Sequence, residues 1–445
     1  MAVRKGLLGK DEALKAAEKV LAKSPGELTE VSIRGGASHL TRFSDNYIHQ
    51  NVSESSQGIT VKVIFGKKIG SASTNSLDEE SIQAAIDSAA NIANLQKPNE
   101  DFEGIPGPAS YQEVKAFFES TFDFTPMDRA KAVKVIVDAA AAKGFKAAGA
   151  YSTGATEMCL ANSLGLRAYH TSTSASLRTV VMSDTGSGCG DAAAMDVKDV
   201  SAGRVALSAV ETCEMSQNPI TAPAGEYEVV MQPHAVADML SYLIRGGFSA
   251  QAVREGRSFL VGKLGQKLFS DLFTAWDDGL DPRGFPMPFD MEGVPKKKVV
   301  MVEKGVTAEL LYDFKSAKKE GKQPTGHGGF GGFGAMAANV FMAPGDAAVE
   351  DLIKKTRRGI LITRFHYTNM AHPIRVLVTG MTRDGTFLIE DGKIVKPVRN
   401  FRFTESALRV FGTMDAASKE AVRAGRAVVP AIHVPAFNFT GVTEF

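Results

Sequence analysis

Tight turns joining runs of strand-forming residues recur in both halves of this chain, and that punctuation forces a fold built around sheets. Residues 58–65 alternate apolar and polar side chains, turn at Gly66-Lys67-Lys68 and return through residues 69–74 as a hairpin. Further strands are predicted at 150–156, 160–173 and 176–182. In the second half, 298–302 and 306–311 pair across Glu303-Lys304-Gly305. Strands 375–379 and 386–389 are separated by Arg383-Asp384-Gly385, and Asp391-Gly392 turns the chain into 393–398.

Helices are fewer. Residues 11–23 set Leu14, Ala17 and Leu21 on one stripe. Ser76-Leu77-Asp78-Glu79 reads as a capping box opening a helix to about residue 94, with Ile82, Ala85, Ile86 and Ala89 on its buried side. Thr125-Pro126 supplies an N-cap and first-turn proline for a helix that ends before Gly144. Residues 199–215 form another, and 233–246 one more, with Val236, Met239, Leu240 and Leu243 on one face. The pattern predicts an α+β fold: an N-terminal half mixing hairpins and helices, and a C-terminal half with a mixed, barrel-like sheet and a few helices. The linker composition of 216–225 divides the chain into domains 1–218 and 222–445. Gly70-Ser71-Ala72-Ser73 ahead of one helix echoes Gly190-Asp191-Ala192-Ala193 ahead of another, which suggests an internal duplication.

Charge narrows the function classes. With 51 basic and 50 acidic residues among 445, net charge is +1, so no bulk electrostatic footprint for nucleic acid or an anionic membrane exists. No window of 18 apolar residues offers a spanning helix, and Met1-Ala2-Val3-Arg4-Lys5-Gly6 has no apolar run behind its cations. Cys159, Cys189 and Cys213 are widely spaced and form no CxxC, as expected for reduced thiols in the cytoplasm.

A zinc peptidase of the helical type needs two histidines about one turn apart, with a glutamate after the first as general base. None of the eight histidines here is followed by glutamate. Gly326-His327-Gly328-Gly329-Phe330-Gly331 fits G-x-G-x-x-G, but Gly321-Lys322-Gln323-Pro324 precedes it where a dinucleotide site needs an apolar strand. A glycine loop lining a cleft is the expectation. His366 and His372 stand six residues apart, around Tyr367 and Asn369, an even spacing that puts both on one face of a strand, whereas His372-Pro373 argues for a turn. Two readings stay open for them: metal ligands, or cleft-lining hydrogen-bonding groups. Asp277-Asp278 and Asp290 with Glu292 sit beside glycines, where turn and capping duty is expected over acid–base work. Lys296-Lys297-Lys298 reads as a solvated edge. No G-x-S-x-G nucleophile elbow and no P-loop occur.

The C-terminal landmarks, taken in order, carry a resemblance. They run Gly225-Glu226-Tyr227, Gly256-Arg257-Ser258, Gly262-Lys263-Leu264-Gly265, Asp277-Asp278-Gly279, Asp290-Met291-Glu292-Gly293, Pro324-Thr325-Gly326-His327, Arg358-Gly359-Ile360, Thr382-Arg383-Asp384-Gly385 and Ile389-Glu390-Asp391-Gly392-Lys393. This series resembles the TldD/PmbA family over roughly residues 30 to 440. The resemblance implies a heterodimeric metalloprotease whose TldD-type subunit carries His-Glu-x-x-x-His on a helix and a C-terminal cysteine. Counted without gaps from Gly256 and Gly262, the helix motif falls on residues 241–246, where Ser241, Tyr242 and Gly246 replace its three chemical residues. Ala424 stands at the cysteine position. Thr325-Gly326-His327 is typical of the PmbA/TldE side.

The resemblance therefore implies a non-catalytic PmbA/TldE-like subunit with no catalytic residue, metal or cofactor of its own. Zinc is expected in the TldD-type partner, and an extended peptide is the expected substrate. His327, Gly328, His366, Tyr367, His372, Arg383 and Asp384 are the cleft candidates. A homodimer in the partner's absence is possible, while nucleic acid and membrane are not expected. The alternative is a stand-alone hydrolase with a rearranged metal site on His327, His366 and His372.

Overall fold

The computed structural model describes residues 6–245, 247–329 and 334–443. The N-terminal half is one unit used twice: helix, three strands, helix. The first copy is α1 (Lys10–Lys23), β1 (Leu28–Ser44), β2 (Tyr47–Phe65), β3 (Lys68–Thr74) and α2 (Glu79–Leu95). After the single turn α3 (Glu119–Phe122), the second is α4 (Pro126–Ala141), β4 (Lys146–Asn162), β5 (Arg167–Met182), β6 (Ser187–Ala194) and α5 (Ala202–Met215). The six strands run in the order β3-β2-β1-β4-β5-β6 with every neighbour antiparallel, so the copies join at β1–β4.

All four long helices cover one face of this sheet. Val31, Ile33, Ile59, Val61 and Val63 pack with α1 and α2, and Phe43, Ala147, Tyr151, Leu177 and Val181 pack with α4 and α5. Strand alternation places these odd-numbered residues together. The two copies also share a close approach. A Cβ on Gly70 would lie 2.0 Å from the Ala89 carbonyl of α2, and one on Gly188 would lie 2.1 Å from the Ala209 carbonyl of α5. Only glycine lets helix and strand backbones come this near. The duplication suggested by the Gly70 and Gly190 segments is thus present in the topology.

The C-terminal half opens with β7 (Gly225–Met231), α6 (Pro233–Ile244) and α7 (Ala250–Arg254), then β8 (Ala275–Asp277), β9 (Val299–Glu303), β10 (Val306–Thr307), α8 (Phe314–Lys319) and β11 (Val340–Met342). It continues with α9 (Val349–Lys355), β12 (Arg358–His372), β13 (Leu377–Glu390), β14 (Lys393–Pro397), β15 (Phe401–Ser406), α10 (Ala407–Thr413), β16 (Ala416–Ala424) and β17 (Ala427–Val442). The eleven strands form one sheet, and the β17–β7 pairing closes β17-β15-β13-β12-β7 into a ring. That ring is the barrel expected from the hairpin pattern. Its interior is aromatic: Phe365 and Phe403 stand 4.4 Å apart between ring centres, and Phe401 and Phe439 stand 4.5 Å apart. Each such fully buried side chain stabilises the fold by about 1.5–3 kcal/mol relative to exposure.

Helix α6 buries Ala235, Val236, Met239, Leu240, Leu243 and Ile244 in the same core as the ring's aromatic side chains. Its stripe matches the 3.6-residue reading, and the opposite stripe of His234, Asp238, Ser241 and Arg245 is left for solvent or a cavity.

Several local expectations are corrected. The cap of α2 is Asp78, which accepts from Ser81 N at 2.8 Å, while Ser76 serves Asp78 instead of the helix. Leu160 and Thr173 do not share a strand, since the β4–β5 turn falls between Asn162 and Arg167. Arg383-Asp384-Gly385 is no hairpin turn. It is an irregular step inside the continuous strand β13, with Asp384 at φ 52° and Gly385 at φ 120°. The run at 296–298 is not uniformly solvated, because Lys296 is buried and its stem packs over Gly279.

Candidate functional site

A cavity of about 580 Å³ opens where the second N-terminal unit meets the C-terminal barrel. Strands β5 and β6 contribute Arg178 and Asp191, which are register partners and so share a face. The outward stripe of α6 contributes His234, Asp238, Ser241 and Arg245. Strand β12 adds Arg364, His366 and Tyr367, and the β16–β17 hairpin adds Ala424, Gly425 and Arg426. Gly425, at φ 60°, permits the two-residue turn that brings Ala424 opposite Ala427 and leaves Arg426 at the tip.

Ser241 and Ala424 thus line one cavity, although 183 positions of the chain's numbering separate them. Neither offers a metal anything. Ser241 Oγ donates to the Asp238 carbonyl at 2.8 Å, and Ala424 presents a methyl group. Tyr242 does not line the cavity, and its hydroxyl stands 3.2 Å from Oγ1 of Thr368, which does. Gly246 lies outside the described residues and has no side chain. The ligand set that zinc would need, nitrogen, thiolate or carboxylate at these positions, is therefore not supplied.

Sequence reading missed the cavity's own charge cluster. His234 Nε2 lies 2.5 Å from Asp191 Oδ1, but off the ring N–H line, which makes this a close polar contact rather than a directed hydrogen bond. Burial opposes ionisation of Asp191, yet His234, Arg178 and Arg364 outweigh it and hold that carboxyl below its ordinary value. Asp238 goes the other way. Burial pushes it up to about 6 against the pull of His234, Arg364 and Arg178. Arg364 is anchored on Asp384, with Nε 2.8 Å from Oδ2 and Nη2 on the same oxygen, and Ser187 Oγ donates to Oδ1 at 2.7 Å. Asp384 therefore ties β13, β12 and β6 together behind the cavity wall. In the sequence the only trace was spacing: His234 and Asp238 occupy the face of α6 opposite its apolar stripe.

The cleft candidates are dispersed. His366 and Tyr367 line the cavity, with Tyr367 exposed and in a left-handed conformation at φ 53°. Burial, Arg364 and Arg383 together hold the His366 imidazole below its ordinary value. His372 is outside the cavity, where Nδ1 accepts from Arg375 N at 3.3 Å. Irregularities in β12 after His366 and after Met370 break the strand alternation that even spacing assumes. Arg383 approaches Asp384 at 3.9 Å and does not line the cavity.

His327 is sealed in the core. Its Nε2 is 2.8 Å from Asp277 Oδ1 and its Nδ1 3.0 Å from Thr325 Oγ1, while Asp277 Oδ2 accepts from Ala338 N and Asn339 N at 2.6 and 2.7 Å. Asp277 accordingly sits on a buried strand and has no turn duty. Asp290 does: it accepts from Glu292 N, Val294 N and Gly328 N. Among the described residues no three His, Cys, Asp or Glu side chains gather as a metal-ligand group, so His327, His366 and His372 do not form a site together.

Relatives place this geometry. Residues 224–441 match the PmbA/TldA metallopeptidase C-terminal domain, and residues 29–93 match domain 1 of the same metallopeptidases. An uncharacterised protein of Methanocaldococcus jannaschii is 30% identical over 277 residues, 61% of this chain and 64% of that one. The metalloprotease PmbA of Escherichia coli O157:H7 is 24% identical over 414 residues, 87% of this chain and 86% of that one. In three curated relatives, the first included, the matched part spans less than two thirds of that protein's length. The crystal structure of TldE from Thermococcus kodakarensis shares the fold, with a TM-score of 0.88 at 23% identity over 97% of this chain and 100% of that one. With both domain profiles, the sequence relatives and the fold in agreement, this chain belongs to the PmbA/TldD family of metallopeptidase-like proteins.

Proposed function

We propose that this chain is the PmbA/TldE-like, non-catalytic member of a two-subunit zinc metalloprotease acting on peptides in the cytoplasm. One observation carries the reading. The positions that correspond to the family's metal ligands, Ser241 and Ala424, lie on one cavity and hold neither a ligand nor a base. A peptidase frame preserved without its chemistry fits a protein whose partner, a TldD-type subunit, brings the zinc. In that arrangement the cavity faces a chamber shared by the two chains, and backbone pairing along a strand edge holds the substrate in extended form. Obligate pairs of this kind typically bury more than about 2,000 Å². The separation of His327, His366 and His372 leaves the stand-alone hydrolase without a ligand set.

The test is reconstitution with the TldD-type protein of the same genome. A stable 1:1 species should form, with peptidase activity that neither chain has alone, and zinc should follow the partner. Stoichiometric, chelator-sensitive metal and peptide cleavage in this chain by itself would overturn the proposal. So would a partner equally active without it.

A further inference from the structure

The cavity's charges do not balance, and the surplus lies on exposed side chains. Arg178, Arg245, Arg364 and Arg426 face only two lining carboxylates, Asp191 and Asp238. Arg364 is held by Asp384 and Arg178 stands in register with Asp191. No described carboxylate pairs with Arg245 or Arg426, which project from the C-terminus of α6 and from the tip of the β16–β17 turn. His366 and the exposed Tyr367 line the same cavity. Asp238, with its carboxyl pushed up to about 6, is the weaker of the two counter-charges, and burial together with Arg364 and Arg383 holds the His366 imidazole below its ordinary value. The guanidinium groups of Arg245 and Arg426 line one cavity and have no carboxylate partner among the described residues, and each can bind a carboxylate through two parallel N–H donors. One arginine at a helix C-terminus is by itself only a favourable cap. The second, on an unrelated turn and lining the same cavity, is not explained that way.

We propose that Arg245 and Arg426 form a carboxylate-binding subsite at the cavity mouth, which holds a peptide by its C-terminal carboxylate or by an acidic side chain. This deepens the peptide reading above and rests on it for the ligand class, but it concerns this chain's own affinity and needs no cleavage. Arg364 is not part of the subsite, being occupied by Asp384.

Titration calorimetry on the full-length chain decides it with four probes: an N-acetylated tetra-alanine as free acid, the same peptide as its amide, and N-acetylated amides carrying one Glu or one Gln. A C-terminal source predicts that the free acid binds roughly tenfold tighter than its amide. A side-chain source predicts the same preference for the Glu over the Gln amide. In either case Arg245→Gln with Arg426→Gln should erase the preference while the circular dichroism spectrum and melting temperature stay unchanged, both residues being exposed. Equal binding within both pairs of peptides, or a preference that survives the double substitution, overturns the subsite. The outcome is separable from reconstitution: an active complex formed by a chain indifferent to carboxylates would leave the partner role standing and remove this inference alone.

Discussion

Two polar clusters, one within the C-terminal half and one where the two halves meet, contain the same residue types and behave as opposites. Around His327, both side chains of the Asp277–His327 pair are wholly buried and every contact is protein to protein: Thr325 Oγ1 on one nitrogen, Asp277 on the other, and two backbone N–H groups on the second carboxylate oxygen. Around His234, Asp191 and Asp238 share an open cavity with four arginines, and the nearest contact is off the hydrogen-bond axis. The first cluster is a closed network, which rigidifies a loop–strand junction. The second has capacity left over. What separates the structural histidine from the one open to a ligand is therefore not a nearby acid, which both have, but complete burial together with protein partners for both of its nitrogens.

Electrostatics draw the same line with opposite signs. Burial alone would raise Asp277, but the His327 contact outweighs it and holds the carboxyl below its ordinary value. Its contribution is present at neutral pH and is lost as pH falls through that lowered pKa. Asp238 is raised to about 6, so the folded chain keeps a proton that the unfolded chain has released. Its contribution is present in acid and is lost as pH rises from the ordinary aspartate value towards about 6.

The contrast breaks most readily at His327. His327→Ala should leave Asp277 charged and buried with its donor gone, costing about 3–5 kcal/mol in denaturant unfolding at pH 7. His234→Ala in the same assay should cost under about 1 kcal/mol. Equal losses would erase the distinction between the clusters. Asp384→Asn tests an intermediate case, a buried carboxylate serving Arg364 from behind the cavity, and should cost roughly 1.5–3 kcal/mol. A smaller loss would mean that the wall of the cavity does not depend on that anchor.

Asp238→Asn should act in the other direction. Its gain over the parent is expected to be small at pH 4 and on the order of 1–2 kcal/mol at pH 7, because the substitution removes a carboxyl that ionises only against its surroundings. Unfolding curves at both pH values check this, and a constant difference would refute the sign. The smallest effect is predicted for His366→Ala with His372→Ala. Both are exposed, so the double variant should unfold within about 0.5 kcal/mol of the parent and with the same metal content. A loss of bound metal on this double substitution would restore the rearranged site.

Much of the fold was legible. The hairpin at residues 58–74, the Thr125-capped helix and the apolar stripe of α6 follow from periods of 2 and 3.6 and from local capping chemistry. Errors fell where local rules are degenerate. Ser76 and Asp78 are both good caps, and tertiary placement chose between them. The residues at 383–385 have turn composition but are spliced into a long strand, because Arg364 and Ser187 hold Asp384 in place from neighbouring strands.

The site divides along the same boundary. Sequence alone carried the family frame, and Ser241, Tyr242, Gly246 and Ala424 are the residues that the resemblance sets at the family's metal-site positions. It also determined the sheet-based class, because tight turns and alternation act over a few residues. Only the tertiary structure decided that Ser241 and Ala424 share a cavity with Asp191, His234 and Asp238, that His327 is sealed away from it, and that Arg245 and Arg426 have no carboxylate partner among the described residues. Those facts depend on closing a barrel between β7 and β17 and docking it on β6. Such long-range contacts are set by the summed burial of many side chains, which no short window of sequence contains.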